Sequence, residues 1–389
     1  MNVYIHIEWT KRELDSNLLL ATIAAEKGAE VSILDYNTFN FLFKRKFIKP
    51  GVFHSKSLVH DDNKQKFFEK LKKSDFVLTC IDEESGLIHN EDNLLSFFKS
   101  RFTKEALKTI DAVFCWGNYD FEFLNSYFKD FSKKIILSGS PRVDMWKKNF
   151  KNYWSYEKKI NEKYVLISSN FAVVNSSIDL WKIYYKLRQA GYFERNNKKK
   201  DQFIERASQS LKLFYKFVDA TNFLTENFKD IKFLLRPHPQ ESLEVWRHLL
   251  TKRKNLIIDN KESINSVLNN SICLIHNGCT TAYEAALNDI PSICYNPLKE
   301  DLLHGKPAND LGVTVNDLTN LKSKVMDIDS QGYQRKEYCK KELAIKKLNY
   351  NENILSSSTI VNEWSKYLNK YKKNEWWFFK FIFLFFFQK

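Results

Sequence analysis

The sequence predicts an α/β protein built from two Rossmann-like domains facing a cleft. Short apolar runs alternate with helix-length amphipathic stretches, the pattern of parallel sheets covered by helices. A βαβ opening stands almost at the first residue, and a second set of strands starts after a charged, aromatic connection at 147–162. The chain has 389 residues, 43% hydrophobic and 28% charged, which excludes wholesale disorder and leaves room for two cores.

In order, VYIHI (3–7) reads as a buried strand, Glu13 to Lys27 as a helix ended by Gly28, and AEVSILD (29–35) as the next strand. DFVLTCID (75–82), AVFCWG (112–117) and KIILSGS (134–140) supply further strands, with helices near 91–110 and 119–131. In the second half, strands are expected at 164–170, 231–237, 255–260, 271–277 and 291–296, and helices near 203–227, 241–252, 262–269 and 280–288. The segment 177–202 is polar and aromatic and reads as an insertion or mobile loop. The expected domains are 1–155, 156–350 and a C-terminal helix with a tail at 351–389.

Charge and cysteine usage exclude several classes. The net charge is +14, but 50 of the 61 basic residues are Lys, and base readers favour the bidentate fork of Arg. With no nucleic-acid motif present, no nucleic-acid partner is expected. An anionic membrane surface or a phosphorylated substrate suits the charge better. Six scattered cysteines without a CxxC pair fit a reducing cytosol, and MNVYIHIEWT lacks the basic and apolar regions expected of a signal peptide. The expected location is cytoplasmic.

Ligands of such sheets bind beyond the carboxyl ends of the strands, so residues just after each strand carry the most weight. RPHP (236–239) places Arg236 and His238 there, stiffened by Pro237 and Pro239. HNGCTTAYEAAL (276–287) puts His276, Asn277 and Gly278 in a tight turn that feeds a helix starting near Thr280 or Thr281. The free N–H groups of that start suit a phosphate, and the two threonine hydroxyls either cap the helix or bind it. Thr281-x-x-Glu284 is a capping box or, alternatively, Glu284 contacts a ribose hydroxyl.

In the first half, Asp82, Glu83 and Glu84 follow a strand and precede Gly86. Mutual repulsion of three acids raises at least one pKa toward acid/base use; the plainer reading is a solvated acidic turn. Asp144 follows the turn GSPR, where Arg142 either pairs with it or binds a donor carboxylate or phosphate. Asp144 and Glu84 are the candidates for nucleophile and acid/base in a double displacement, with Glu83 and His238 also catalytic candidates. Glu8 and Arg12 either hold the acceptor or form an ion pair across the first strand–helix turn. Asn170 follows the first strand of the second half and is expected across the cleft. The acids Asp327 and Asp329 are read as a chance pair in a loop, and no metal is expected. GxGxxG and GxxxxGK[ST] are absent, which disfavours a dinucleotide enzyme or a P-loop kinase.

RPHP followed by H-N-G-x-T-T-x-x-E-A resembles the donor half of GT-B glycosyltransferases. Similar segments occur in capsule Kdo transferases, CDP-glycerol glycerophosphotransferases and UDP-GlcNAc 2-epimerases. Glu8 with RELDSNLLLA (12–21), DEESG (82–86) and GSPRVD (139–144) resembles the bacterial surface carbohydrate biosynthesis proteins, departing at Ser85 and Ser140. This resemblance implies a GT-B fold, a nucleotide-sugar donor used as a substrate with no resident cofactor, and a surface polysaccharide or lipid-linked acceptor; a more distant resemblance to retaining β-Kdo transferases implies CMP-Kdo as that donor. The rival readings are a 2-epimerase-like isomerase, a CDP-glycerol-type glycerophosphotransferase, or a non-catalytic scaffold.

A last helix is expected over Leu355 to Lys370, crossing back to the first domain as GT-B proteins imply. Beyond it, Trp376 to Phe387 is apolar except for Lys380. These roughly twelve residues reach ~18 Å as helix, short of the ~30 Å hydrocarbon core. With Lys366, Lys370, Lys372 and Lys373 beside it, the tail reads as an interfacial anchor at the inner leaflet or, alternatively, as a segment docked on protein. Phe39, Phe41, Phe43 and Phe47 with Lys44, Arg45 and Lys46 make either a second such surface or core packing.

Overall fold

The computed structural model describes residues 2–58, 62–84, 87, 91–155, 160, 162–176, 178–189, 197–298, 306–330 and 337–368. The chain divides into two compact units, Met1–Lys148 with Ile345–Lys389, and Asn149–Ala344. Each contains a six-stranded, wholly parallel sheet.

In the first unit the strands are β1 (Asn2–His6), β2 (Glu30–Leu34), β3 (Val52–Ser55), β4 (Val77–Ile81), β5 (Ala112–Cys115) and β6 (Ile135–Leu137), in the order β2-β1-β3-β4-β5-β6. The order reverses between β1 and β3. The sequence reading lacks β3, a four-residue run without flanking alternation, and the helices Tyr36–Lys44 and Asp62–Lys73 on either side of it. β1, β3, β4 and β5 are buried along almost their whole length, as in a sheet covered on both faces, so their residues read as near-continuous apolar runs. The core is aromatic: Phe39 lies edge-on to Tyr4 at 5.3 Å and 4.5 Å from Phe53. Phe39 and Phe43 therefore belong to the interior, whereas Phe41 and Phe47 stay exposed.

In the second unit β7 (Tyr164–Ser168), β8 (Lys232–Arg236), β9 (Leu256–Ile258), β10 (Ser271–His276), β11 (Ser292–Tyr295) and β12 (Val313–Val315) follow the order β12-β11-β10-β7-β8-β9. The reversal lies between β7 and β10. β12, only three residues long, is the second strand missing from the sequence reading. The expected loop at 177–202 contains a helix, Leu180–Gln189, and the start of a 31-residue helix, Asn197–Asn227. Asp327 and Asp329 lie inside the helix Leu318–Ser330, not in a loop.

The last described helix, Ser356–Leu368, belongs to the first unit, and Asp144 holds its start. Ser140 caps the short helix Pro141–Asp144 with Pro141 at its first position, delivering a fully buried Asp144 to the end of that turn. The Asp144 carboxylate accepts the backbone N–H groups of Ser356 and Ser357, each at 2.8 Å, and the Ser357 hydroxyl at 2.8 Å. Lys147 pairs with it at 3.1 Å and donates to the Ile354 carbonyl at 2.6 Å. Gly139 (φ +79°) passes so close that a Cβ there would lie 2.2 Å from the Ser356 hydroxyl. Further along the helix, the Trp364 indole donates to Thr79 Oγ at 3.1 Å. The expected apolar tail falls outside the described residues, and among those described no helix is long and apolar enough to cross a membrane.

Replacing Asp144 by Ala strips the cap and leaves the Lys147 ammonium buried without its counter-charge, a class of change that costs about 3–5 kcal/mol. Chemical denaturation is expected to show that loss. Amide exchange in Ser356–Leu368 is expected to accelerate ahead of the rest of the unit.

Candidate functional site

In the second unit the strand register assembles one row of side chains at the carboxyl edge. Ser168 of β7 is paired with Arg236 of β8, and Ile275 with Ile167, so His276 comes next to Ser168 on the other side. Alternation puts all three on the face of Leu166, Leu234 and Leu274, the face covered by the helix Thr281–Leu287. This row stands at the point of strand-order reversal, where open α/β sheets bind ligands.

Within the row the residues differ in access. Arg236 is half-buried, and its guanidinium donates to the Glu262 carbonyl at 3.2 Å. His238 is half-buried, and its Nδ1 accepts the Gln240 N–H at 3.3 Å. His276 is 0% exposed. Its Nδ1 accepts the Gly278 N–H at 2.9 Å, so the imidazole is neutral with its proton on Nε2; burial pushes its pKa down to about 4. This bond sets the turn in which Gly278 adopts φ +87°. Asn277 is buried in the same turn.

The helix begins at Thr281 with Thr280 as N-cap, and no side-chain bond closes the cap. That numbering moves Glu284 out of the third helical position, so the expected capping box does not form, and Glu284 is buried within the helix. Thr281 instead directs its hydroxyl and N–H at the Cys279 sulfur, opposing the rise that burial imposes on that thiol. Thr280 stays half-buried and Asn170 exposed, both at the carboxyl edge of the second unit.

The sequence reading misses Glu241, which ties two of these loops together. Its buried carboxylate accepts Ser169 Oγ at 2.9 Å, Phe171 N–H at 2.9 Å, His238 N–H at 3.1 Å and the Trp246 indole at 2.9 Å. Burial raises its pKa, and these donors pull it back. Reading 241–252 as one helix hid it; the helix is Leu243–Leu249, and Glu241 lies before its cap, Ser242.

The first unit brings a second set of charges to the carboxyl edges of β1, β3 and β4. Glu8 and Arg12 do not pair with each other. Glu8 joins Lys56 at 2.7 Å, and Arg12 reaches across to Glu84 at 2.6 Å and to the Glu83 carbonyl at 2.9 Å. Partial desolvation pushes the half-exposed Glu84 carboxyl up, but Arg12 beside it outweighs this and holds it low. Arg142 pairs with neither Asp144 nor open solvent. It faces Glu83 Oε2 at 3.9 Å, donates to the Glu83 carbonyl at 3.3 Å and stacks over Trp116 at 5.2 Å. Asp82 fixes the turn, accepting the Glu84 N–H at 2.9 Å and facing Arg101 at 3.3 Å.

Glu83 differs from both of its neighbours in the run. It is 5% exposed, and Oε2 has no hydrogen-bond partner among the described residues. Burial raises its pKa to about 7, Arg142 opposes the rise and Glu13 adds to it. Desolvation, rather than the expected repulsion among three neighbouring acids, is therefore the larger cause. Asp144, by contrast, is committed to the C-terminal helix, and its oxygens are occupied as described above. Sequence reasoning missed three more residues here: Lys56, which follows the unread strand β3; Glu13, which accepts the Glu8 N–H at 2.7 Å; and Trp9, next to Glu8 in sequence and 54% exposed. Glu13 was visible inside RELD, masked by its place in a helix. Among the described residues no group of three or more His, Cys, Asp or Glu is placed to hold a metal ion.

Two outcomes follow. Because the folded pKa of Glu83 lies above its ordinary 4.5, stability is expected to fall as pH rises from 4.5 through about 7, by about 3 kcal/mol at most. Glu83→Gln is expected to remove that slope and raise the melting temperature at pH 8. Glu241→Gln leaves donors without an acceptor and is expected to cost about 2–3 kcal/mol in denaturant titrations.

No family model matches the chain, and no curated protein sequence matches it. Solved structures do share its fold. The UDP-GlcNAc 2-epimerase of Neisseria meningitidis bound to UDP-GlcNAc is 12% identical, with TM-score 0.54 over 94% of this chain and 100% of that one. The Methanocaldococcus jannaschii UDP-GlcNAc 2-epimerase, in complex with UDP-GlcNAc and UDP, is 13% identical, with TM-score 0.55 over 94% and 100%. The wall teichoic acid polymerase TagF is 12% identical, with TM-score 0.55 over 96% of this chain and 90% of that one. The chain thus has the two-domain α/β architecture of the GT-B type.

Proposed function

We propose that the protein is a GT-B glycosyltransferase that moves a sugar from a nucleotide-activated donor to a surface polysaccharide or lipid-linked acceptor. The observation that carries this reading is Glu83, a buried carboxyl at a strand's carboxyl edge whose pKa lies at about 7. Such a group serves as a general base near neutral pH. Glu83 would take the proton of the acceptor hydroxyl. The acceptor oxygen then bonds to the anomeric carbon, while the sugar–phosphate bond breaks with its electron pair on the departing nucleotide. Arg142 and the Arg12–Glu84 pair position that base. With Asp144 held in its helix joint, a direct displacement fits better than a double displacement through a carboxylate nucleophile.

The second unit's edge would hold the donor. In this reading Arg236, His238 and the Thr280 hydroxyl face the phosphate and sugar, Asn170 and Asn277 flank them, and His276, Thr281 and Glu241 fix the loops. A CMP-Kdo-like donor is the first to try, from the resemblance of the sequence motifs. No metal or resident cofactor is called for. The acceptor's lipid and the basic, aromatic C-terminal residues fit work at the cytoplasmic face of a membrane.

A second reading, a sugar-nucleotide 2-epimerase, is favoured by fold neighbours that are themselves UDP-GlcNAc 2-epimerases. The two differ in where the nucleotide ends. A screen of CMP-, UDP-, GDP- and CDP-linked sugars with a lipid-linked acceptor extract is expected to release free nucleotide with one donor, at a rate rising with pH through about 7. Glu83→Gln is expected to slow release by about 100-fold or more. An isomerised product still carrying its nucleotide would assign the epimerase, and failure to bind any sugar nucleotide in calorimetry would overturn both.

A further inference from the structure

We propose that the helix Leu180–Gln189 of the second unit is a docking surface for an anionic phospholipid membrane. The inference rests on this surface alone and is independent of the reaction.

The helix splits into three strips. Leu180, Ile183, Tyr184 and Leu187 recur at helical spacing and are half-buried, and the Tyr184 ring lies 5.9 Å from Phe203 of the long helix that follows. That contact seats the helix on the protein and leaves its other strips outward. Trp181 and Tyr185, four residues apart on the adjoining strip, are 68% and 57% exposed. Lys182, Lys186 and Arg188 are exposed, and the helix contains no acidic residue. Asp179 accepts the Trp181 N–H at 2.7 Å and spends its charge on the helix start. Ile178, just before the helix, is 44% exposed.

These features select the occupant. The helix is ten residues long, about 15 Å, too short to span a bilayer but able to lie in its surface. Trp and Tyr are the residues that settle at headgroup depth, while lysine stems reach back from the apolar boundary to lipid phosphates. A protein partner fits less well, because lysine is depleted from the cores of protein interfaces.

The full chain would be mixed with phosphatidylcholine vesicles with and without phosphatidylglycerol, and amide exchange followed by peptide. Slower exchange in 180–189 with the anionic vesicles only is expected. Trp181→Ser with Tyr185→Ser is expected to weaken vesicle partition by about fivefold or more, and Lys182→Gln with Lys186→Gln to erase the preference for the anionic lipid. All four positions are exposed, and matching melting temperatures would show that the variants fold. Unchanged exchange in 180–189 while the chain is vesicle-bound would place membrane contact elsewhere and overturn the proposal. So would protection that rises with protein concentration without vesicles, which would assign the surface to a second copy of the chain.

Discussion

Every strand-to-helix loop of a wholly parallel sheet leaves from one edge, and a reversal of strand order parts the helices at one place along it. Both units of this protein obey that constraint, with reversals at β1/β3 and at β7/β10. Chemistry-bearing side chains separated by 68 and 108 residues in sequence become lateral neighbours because register, not proximity along the chain, decides their meeting. Ser168, Arg236 and His276 are one such row. The charged residues after β1, β3 and β4 are another.

Within those edges, burial sorts residues of the same type into different work. Three consecutive acids end in three states: Asp82 braces its own turn, Glu83 sits desolvated with an unbonded oxygen, and Glu84 is held ionised by Arg12. The histidines divide likewise, His276 locked to a backbone N–H and His238 closer to solvent. A carboxylate that looks catalytic by its position after a strand can be wholly absorbed by architecture, as Asp144 is.

Ten of the twelve strands among the described residues were legible because a sheet covered on both faces demands continuous apolar runs, and the residues at their ends followed from that. β3 and β12 were not, since runs of three or four residues give too little periodicity to separate from loop. The helix Leu180–Gln189 was obscured by a polar, aromatic composition that fits an exposed helix as well as a loop. At the sites, residue types were visible but partners were not. Arg12 meets Glu84 across 72 positions, and Glu241 collects donors from loops that only the folded register brings close. Spacing along a chain carries no record of such meetings.

The return of Ile345–Leu368 to the first unit makes that unit discontinuous, whereas Asn149–Ala344 is a single stretch. During synthesis the inserted unit emerges complete and can close its own sheet while the ribosome is still at work. The earlier-made half must wait, its Asp144 and Lys147 without their partners, until Ser356–Leu368 arrives to cover them. Nascent chains stalled before Ser356 would therefore be the vulnerable ones, holding one finished lobe and one unfinished.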